Sequence, residues 1–347
     1  MNNIEKVFLF GYWHRNLGDD LFLKIITERY PQCRFFISSN DDYQGFTSNL
    51  QNKGNRVINK LIRVMTHEKW DFSMLCSMAF KTIVYLGGSL FIENKLPYEK
   101  HHSKQSQYYV IGANFGPFFS DAYLKYHEHF FLDAKDVCFR DEVSLRLFSK
   151  SDHLRSAPDV VFGLKTAEKA DSHKKTVVFS LIDTSNRNDI DTQHFEKGIV
   201  KLIHDFADQG YHIRLISFCQ FEGDEAAIRR IMDLCPDVDI CPFFYRKDIE
   251  EALDVLKNSD VIVGVRYHSI ILGILFQKYT VPLVYSDKLI NELSYINYEG
   301  QYLDLRTNDW YEQFQMGSLY RYEAQKLPEL ISAAECQFQA LDHLLEE

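Results

Sequence analysis

Several features that mark common classes of protein are missing from the sequence. No apolar run approaches the ~20 residues of a membrane-spanning helix, and no basic segment precedes an apolar one at the amino terminus. We therefore expect neither a transmembrane segment nor a signal peptide. The G-x-G-x-x-G and G-x-x-x-x-G-K-[ST] loops are absent, which removes support for dinucleotide and nucleoside-triphosphate binding. The sequence also lacks the G-x-S-x-G motif that would indicate a hydrolase.

Positive charge is scarce as well. The 39 lysines and arginines are outnumbered by 49 aspartates and glutamates, which gives a formal charge of −10. This balance argues against a nucleic-acid partner and against an anionic membrane surface, since both repel an acidic protein. Any membrane contact is expected to be peripheral. A small anionic substrate stays compatible, because a cleft can concentrate positive charge locally.

The cysteines form no recognisable pairing or metal-binding pattern. There are seven of them, an odd number, and none is part of a C-x-x-C pair. This pattern predicts reduced thiols and a cytoplasmic location. No group of residues has the ligand spacing of a zinc or iron site, so we expect no metal cofactor.

The order of apolar segments predicts an α/β protein with two domains. A chain of 347 residues is too long for one typical core. Short β-branched strands alternate with helical segments, which predicts parallel sheets. A polar stretch at residues 166–175 is the predicted linker. We expect domains at residues 1–165 and 176–312, with a terminal helix in residues 320–347 packing back on the first domain.

Residues 258–276 form the most informative stretch. Residues 261–265 read as a buried strand, and residues 269–276 as a buried helix. Arg266 and His268 lie between them, at the carboxyl end of the strand, where open α/β sheets bind ligands. The helix start adds N–H groups and a positive dipole end, which favour an anion. A solvated or structural role is the alternative for each residue taken singly.

Several loops, taken together, resemble those of the polysaccharide pyruvyl transferase family. The resemblance covers roughly residues 7–295 and is strongest at Asp260-Val-Ile-Val-Gly264-Val-Arg266-Tyr-His268-Ser269. The other matching segments are Gly11-Tyr with Asn16-Leu-Gly18-Asp19-Asp20, Gly87-Gly88-Ser89, Gly112-Ala-Asn-Phe-Gly116-Pro117, Phe139-Arg140-Asp141, Ala157-Pro158-Asp159, Val281-Pro282 and Tyr285-Ser-Asp287-Lys288. Two departures stand out: Ser89 replaces a third glycine, and Arg187 is the sole basic candidate behind the first strand of the second domain.

The resemblance implies a fold, a reaction and a set of roles. It implies two Rossmann-like domains facing a cleft, as in the B-type glycosyltransferase (GT-B) fold. Members transfer the enolpyruvyl group of phosphoenolpyruvate to two hydroxyls of one sugar, in a surface polysaccharide or its precursor, with no further cofactor. The acceptor is a sugar, with a lipid-linked oligosaccharide as one option.

The implied donor-site residues are Arg266, His268, Ser269, Lys288 and Arg187. His268 would protonate the methylene carbon of the donor or donate to the departing phosphate, and Arg266 would hold a donor anion.

On the acceptor side the implied residues are Asn16, Asp19 and Arg140, for which helix capping and structural roles are the alternative. Two other functions stay open. One is a B-type glycosyltransferase that uses a nucleotide sugar, although the late Glu-x₇-Glu motif of retaining members is absent near residues 287–292. The other is a non-catalytic glycan-binding or assembly protein.

Overall fold

The protein is divided into two compact α/β units. The computed structural model describes residues 4–67, 70–93, 103, 105–148, 151–165 and 174–345. Unit 1 consists of Met1–His14, Asp19–Leu164 and Ile331–Glu347, and unit 2 of Arg15–Gly18 and Lys165–Leu330. Apart from Lys174 and Lys175, the predicted linker at 166–175 lies outside the described residues. Unit 2 extends past the expected limit at residue 312, and it takes in a short amino-terminal segment.

The first half of the chain forms a seven-stranded parallel sheet in the order β3-β2-β1-β4-β5-β6-β7. The strands are β1 Lys6–Phe10, β2 Arg34–Ile37, β3 Leu50–Asn52, β4 Thr82–Leu86, β5 Gln107–Ala113, β6 Asp136–Phe139 and β7 Leu154–Ser156. The helices are α1 Leu17–Arg29, α2 Arg56–Met65, α3 Phe72–Ser77, α4 Asp121–Asp133 and α5 Glu142–Phe148. A short 3-10 helix follows at Val160–Gly163.

Strand β3 lies within the largely polar residues 41–55, where it pairs with β2. Only Leu50 of this strand is buried, so no alternation of apolar and polar residues marks it. Edge strands of this kind are recognised by their pairing and not by their composition.

Aromatic side chains fill one core of unit 1. Phe91, Phe130 and Phe131 form ring contacts with one another at centroid distances of 4.9–6.0 Å. Tyr85 on β4 joins them edge-on to Phe130 at 5.3 Å. Such pairs add about 0.5–1.5 kcal/mol each beyond the burial of their area. They fix the strands whose carboxyl ends carry the loops of unit 1.

The second half repeats the architecture. Its strands are β8 Thr176–Ser180, β9 His212–Ser217, β10 Ile240–Phe244, β11 Val261–Gly264, β12 Tyr279–Val284, β13 Leu303–Asp304 and β14 Tyr320–Arg321. The order is β10-β9-β8-β11-β12-β13, all parallel, with β14 antiparallel to β12. The helices are α6 Thr192–Asp208, α7 Asp224–Leu234, α8 Ile249–Lys257, α9 Tyr267–Leu275 and α10 Asp287–Tyr295.

The carboxyl-terminal segment is not the single helix that its spacing predicted. It forms α11 Leu327–Glu335, a 3-10 turn at Cys336–Phe338 and α12 Gln339–Leu345. Gln337 lies in the break and is fully buried. Its amide donates to the carbonyls of Phe139, Ala157 and Pro158 at 2.7–3.2 Å, and its oxygen accepts from the N–H of Gly112 at 2.9 Å. The break is the geometry that lets one side chain meet four backbone groups.

Ion pairs hold the end of the chain in unit 1. The guanidinium of Arg29 donates to both carboxylate oxygens of Asp342, at 2.8 and 2.7 Å, and also to Glu335. Tyr30 donates to the same Asp342 at 2.7 Å. These bonds raise the pKa of Arg29, with the hydrogen bonds that it donates to Asp342 as the largest cause.

Each sheet has one point at which the order of its strands reverses. It lies between β1 and β4 in unit 1 and between β8 and β11 in unit 2. Parallel sheets bind ligands at the carboxyl ends of such neighbouring strands. Among the described residues, no helix combines the length and the apolar character needed to cross a membrane.

Candidate functional site

The predicted strand and turn at residues 258–276 are confirmed. β11 is buried along its whole length. Val265, which follows it, donates its N–H to the carbonyl of Ser180 at the end of β8, at 3.0 Å. Arg266 then adopts an extended conformation as the residue that precedes α9. The turn therefore lies at the reversal point of the second sheet.

Ser269 stabilises this turn through its side chain. It is fully buried, and its Oγ donates to the carbonyl of Arg266 at 2.6 Å. A Cβ added to Gly264 would lie 2.5 Å from the same Oγ, so the approach of strand and helix requires glycine here. The hydroxyl of Ser269 therefore binds the backbone and does not reach solvent, and the assignment of Ser269 to the donor site stays a prediction that concerns the N–H groups of the helix start.

Arg266 is held by two carboxylates. Its Nε donates to Oδ2 of Asp224 at 3.1 Å, its Nη2 to the other oxygen of Asp224, and its Nη1 to Glu222. Asp224 is fully buried, and its Oδ2 also accepts from the N–H groups of Phe218 and Cys219 at 2.9 Å each. The pair thus ties the turn after β11 to the loop after β9.

Burial and charge act against each other in this pair. Burial lowers the pKa of Arg266, but the charges of Asp224 and Glu222 outweigh it and hold that pKa well above its ordinary value. Burial raises the pKa of Asp224, and Arg266 together with two backbone amides limits the rise. With one cation and two carboxylates, the group carries a net negative charge. Arg266 therefore has a structural role whatever else it binds.

Asn16 belongs to the same cluster. Its side-chain amide donates to Glu222 at 3.2 Å, and its Oδ1 accepts from the N–H of Gly18 at 3.0 Å. The N–H of Leu17 donates to the carbonyl of Phe218 at 2.9 Å. Asn16 was expected on the first domain, yet its segment Arg15–Gly18 packs within unit 2. It positions Glu222 and does not share a unit with Asp19 or Arg140.

His268 is half-buried beside the same segment. A Cβ added to Gly18 would lie 1.9 Å from Nδ1 of His268, so the backbone of Gly18 rests directly on the imidazole. On the other side the ring of Tyr267 lies 5.1 Å away, centroid to centroid, in an edge contact. The ring is thereby held in one orientation, as a residue that moves protons requires.

Arg187 and Lys288 lie near this edge of the sheet. Arg187 stacks over the ring of Tyr285 at 4.4 Å and pairs with Asp189 at 2.6 and 3.0 Å. Burial and the positive charge of Arg266 both lower the pKa of Arg187. The pairing with Asp189 outweighs them, so that the pKa is raised overall. Lys288 is half-buried in the first turn of α10. Arg187 therefore lies within electrostatic range of Arg266, with its charge shared between Asp189 and the ring of Tyr285.

Three helices of unit 2 begin without a side-chain cap. The residues before α7, α9 and α10 are Gly223, Arg266 and Ser286, and none makes a side-chain hydrogen bond to the first turn. By contrast, Asp191 and Asp248 cap α6 and α8. α9 and α10 follow adjacent strands, so both of their amino termini lie at the carboxyl edge of the sheet. Such ends favour an anion.

Arg140 lies in unit 1 and is almost fully buried. Its Nη1 donates to Asp159 at 3.0 Å and its Nη2 to Oδ1 of Asn114 at 3.1 Å. A Cβ on Gly88 would lie 2.4 Å from its guanidinium. These contacts favour the structural alternative for Arg140, because its charge is used to join the loops that follow β4, β5 and β7.

Asp19 also lies in unit 1, close to Gly87. One of its oxygens would be 3.4 Å from a Cβ on that glycine, whose φ of +134° few other residues adopt. The side chain is half-buried. Its neighbour Asp20 is fully buried and accepts a hydrogen bond from Tyr43 at 2.7 Å. Of the two carboxylates, only Asp19 retains access to solvent.

A cavity of about 180 Å³ opens at the reversal point of the first sheet. It is lined by Phe10, Gly11, Asp71, Ser73, Met74, Tyr85 and Leu90. The rings of Phe10 and Tyr85 stack at 4.9 Å with an interplanar angle of 10°. Oδ1 of Asp71 accepts from the hydroxyl of Ser73 and from the N–H of Met74 at 2.9 Å. The cavity thus combines aromatic walls with a carboxylate and a hydroxyl.

Comparison with known families identifies the chain. The model of the polysaccharide pyruvyl transferase family matches residues 16–287, which is more than half of the sequence. This chain belongs to the polysaccharide pyruvyl transferase family. It is therefore a transferase that acts on polysaccharides.

Solved structures place the fold of this pyruvyl transferase. S. aureus MnaA, solved with UDP, is similar with a TM-score of 0.61 at 9% identity, covering 99% of this chain and 96% of that one. The UDP-GlcNAc 2-epimerase of Methanocaldococcus jannaschii gives 0.56 at 10% identity, covering 98% and 100%. HepE of Anabaena, with UDP and glucose, gives 0.55 at 9% identity, covering 97% and 95%. Identities this low show the fold alone, which is the GT-B fold of two parallel-sheet domains.

The partners of Arg266 were missed in the sequence of this pyruvyl transferase. Glu222 and Asp224 lie 44 and 42 residues before it, in the run Phe-Glu-Gly-Asp-Glu at residues 221–225. That run follows the apolar segment that forms β9, and its acidic residues around a glycine are the one sequence signal that could have indicated these partners. The aromatic cavity gave no signal, because Asp71 and Tyr85 meet only through the fold of unit 1.

Proposed function

We propose that this pyruvyl transferase moves the enolpyruvyl group of phosphoenolpyruvate onto two hydroxyls of one sugar in a surface polysaccharide or its precursor. The products are a cyclic pyruvate ketal and inorganic phosphate. The observation that carries the proposal is the family match over a turn in which His268 is oriented at the reversal point of the second sheet. An acid held at the carboxyl edge of such a sheet is well placed to act on a bound anion.

The donor anion would be held mainly by groups other than Arg266. Phosphoenolpyruvate carries a phosphate and a carboxylate, and both need cations or N–H donors. The uncapped starts of α9 and α10 offer N–H groups, and Lys288 lies in the first turn of α10. Arg187 is paired with Asp189 at a partly exposed site. Exposed ion pairs contribute little to stability, so a donor anion can replace Asp189 as the partner of Arg187. Arg266 adds charge while it keeps the turn in place.

The reaction takes up two protons, one at the methylene carbon and one at the departing phosphate, and the two sugar hydroxyls release two. A proton on the methylene carbon converts it to a methyl group and leaves a cationic centre at C2. The first sugar hydroxyl bonds to C2 and loses its proton. The C–O bond to phosphate then breaks, and the second hydroxyl bonds to C2 and loses its proton in turn. In our proposal His268 gives a proton to the methylene carbon or to the departing phosphate, and no metal ion or further cofactor takes part.

For the acceptor we propose the cavity in unit 1. The ring of Phe10, which is only partly buried, can pack against the C–H face of a sugar ring, and Asp71 and Ser73 can bind its hydroxyls. The volume of about 180 Å³ suits one sugar unit and not an extended chain. Asp19, half-buried in the same unit, is our candidate base for a sugar hydroxyl.

We also propose a cytoplasmic site of action. All seven cysteines carry free thiols, and Cys33, Cys138, Cys219 and Cys235 are buried. Burial raises the pKa of the Cys219 thiol to about 12, so it stays protonated and unreactive. Free thiols of this kind are typical of reducing compartments.

The test is release of phosphate from phosphoenolpyruvate with a panel of hexose glycosides, followed by mass spectrometry of the sugar. We expect one product that gains the mass of pyruvate less one water and resists reduction by borohydride, as a ketal does. Thermal shift with phosphoenolpyruvate and with UDP is the control, because a ligand stabilises the protein that binds it. Stabilisation by UDP alone, without phosphate release, would instead favour a glycosyltransferase that uses a nucleotide sugar.

A further inference from the structure

Helix α2 turns its apolar residues outward. None of its ten residues is buried. Val57, Leu61, Val64 and Met65 are 70, 56, 64 and 79% exposed, and their spacing of four, three and one places them on one face. The polar Asn59 points the other way, and its Oδ1 accepts from the N–H of Phe72 on α3 at 3.0 Å. This is the reverse of a helix that packs on a core.

The charges of α2 are all of one sign. Arg56, Lys60 and Arg63 lie beside the apolar face, Lys53 precedes the helix, and the helix contains no acidic residue. Arg56 and Lys60 are exposed. A basic apolar helix is unusual on a chain whose formal charge is −10. The overall negative charge of the chain argues against binding to an anionic surface. The charge that such a surface would contact, however, is the local positive charge of α2.

We propose that α2 binds the surface of a lipid bilayer that contains anionic headgroups. Amphipathic helices that lie in the bilayer interface combine an apolar face with lysine and arginine on the polar side. Each basic residue is attracted to the negative surface potential, and the attraction fades within a Debye length. In a symmetric dimer α2 would face α2 of the second copy and set like charges against each other, so charge complementarity selects an anionic lipid surface as the partner. The helix would lie on the membrane and not cross it.

The position of α2 also bears on the acceptor, in a step that rests on the proposed function. Asp71, Ser73 and Met74, at the start of α3, line the cavity of unit 1. α3 packs against α2, and Leu75 on α3 and Met78 directly after it are two further exposed apolar residues. A bilayer bound by α2 would thus lie beside the proposed acceptor cavity. We infer that the acceptor sugar is carried on a lipid.

The membrane inference is tested by co-sedimentation of the full chain with vesicles. We expect at least tenfold tighter binding to phosphatidylcholine mixed with phosphatidylglycerol than to phosphatidylcholine alone. The difference should vanish in about 1 M salt, where the Debye length is ~3 Å. The double variants Leu61→Ser/Val64→Ser and Arg56→Glu/Lys60→Glu should each lose at least tenfold in affinity for the anionic vesicles.

Helix α5 supplies the matched control. Val143 and Leu147 are 46 and 40% exposed, one turn apart, in the same unit. Val143→Ser/Leu147→Ser should bind as wild type, and all variants should keep the wild-type Tm. Equal binding of the α2 variants and wild type would overturn the proposal, as would no binding by wild type. It would also fail if wild type is a dimer that the α2 variants convert to monomers, since α2 would then join two copies.

The lipid-carried acceptor needs its own experiment. A hexose that supports phosphate release is presented as a methyl glycoside in solution and as a long-chain alkyl glycoside in anionic vesicles. The α2 variants should keep wild-type turnover on the first and lose at least tenfold on the second. An equal effect on both glycosides would refute the inference. Vesicle binding is measured without substrate, so its outcome is independent of whether the proposed chemistry is correct.

Discussion

Replacing Arg266 with alanine should destabilise the protein before it affects the donor. The change leaves Asp224 fully buried without its guanidinium, although two backbone N–H groups still reach its carboxylate. Removing one partner of a buried ion pair costs about 3–5 kcal/mol. Because those amides remain and Arg266 is itself partly exposed, we expect the lower end, about 3 kcal/mol. For a unit of this size that corresponds to roughly 6–12 °C in Tm.

The assay is thermal unfolding of four proteins, so that the coupling between the two side chains can be measured. They are wild type, Arg266→Gln, Asp224→Asn and the double variant. Asparagine can still accept from the backbone amides, and a neutral pair leaves no uncompensated buried charge. The double variant should therefore be more stable than Arg266→Gln alone, with a coupling energy of about 1–3 kcal/mol. Alanine at Arg266 is then compared with these four.

The loss of stability in Arg266→Ala should depend on pH, because Asp224 titrates. Burial raises its pKa in the folded state, so folding favours the protonated acid. In Arg266→Ala the opposing cation is gone, so the penalty is largest at neutral pH and shrinks as the pH falls and Asp224 takes up a proton. We expect the Tm difference from wild type to narrow between pH 7 and pH ~4, near the ordinary pKa of aspartate. An unchanged Tm for Arg266→Ala at pH 7, with donor binding lost, would show that Arg266 serves the ligand alone.

Four further outcomes are expected. His268→Ala should leave phosphoenolpyruvate binding by calorimetry nearly unchanged and lower turnover by about 10²–10⁴-fold, and abolished binding would make His268 a phosphate ligand instead. Gly18→Ala should displace the His268 ring and lower turnover at least about tenfold at an unchanged pH optimum, whereas Gly317→Ala, with open space around its Cβ, should not. Gln337→Leu removes the side-chain partner of four buried backbone groups, of which the Phe139 carbonyl keeps the N–H of Ala157, and should cost about 2–4 kcal/mol in chemical denaturation, and a loss below ~0.5 kcal/mol would contradict the contacts seen. Turnover should survive excess EDTA, and a loss restored by a divalent ion would show that a metal takes part.

The local pattern was sufficient to predict the elements that carry the site. Residues 261–265 are continuously apolar, and residues 269–276 are apolar with small residues, so strand, turn and helix followed from composition alone. The position of Arg266 and His268 at the carboxyl end of that strand followed in turn. The alternation of such segments was enough to predict two parallel-sheet units, because each strand has to bury both of its faces.

The partners of those residues depended on distant parts of the chain. Asp224 reaches Arg266 from 42 residues away, and Gln337 reaches Ala157 from 180 residues away. No local pattern fixes such a pairing, since it follows from the order of the strands in the sheet and from where the end of the chain packs. For the same reason the sequence left Arg140 open between an acceptor-side and a structural role, while the fold buries it against Asp159.

What the sequence alone determined is therefore the set of elements and the edge of the sheet at which polar residues emerge. Apolar periodicity is a local property, and burial of each apolar face enforces it. Only the tertiary structure decided which of those polar residues pair with one another and which face solvent. It also decided that the apolar face of α2 stays exposed while Asn59 points inward. The pairing of the polar residues and the orientation of α2 both depend on which distant parts of the chain remove water from charges and amides. A local sequence pattern does not contain this information.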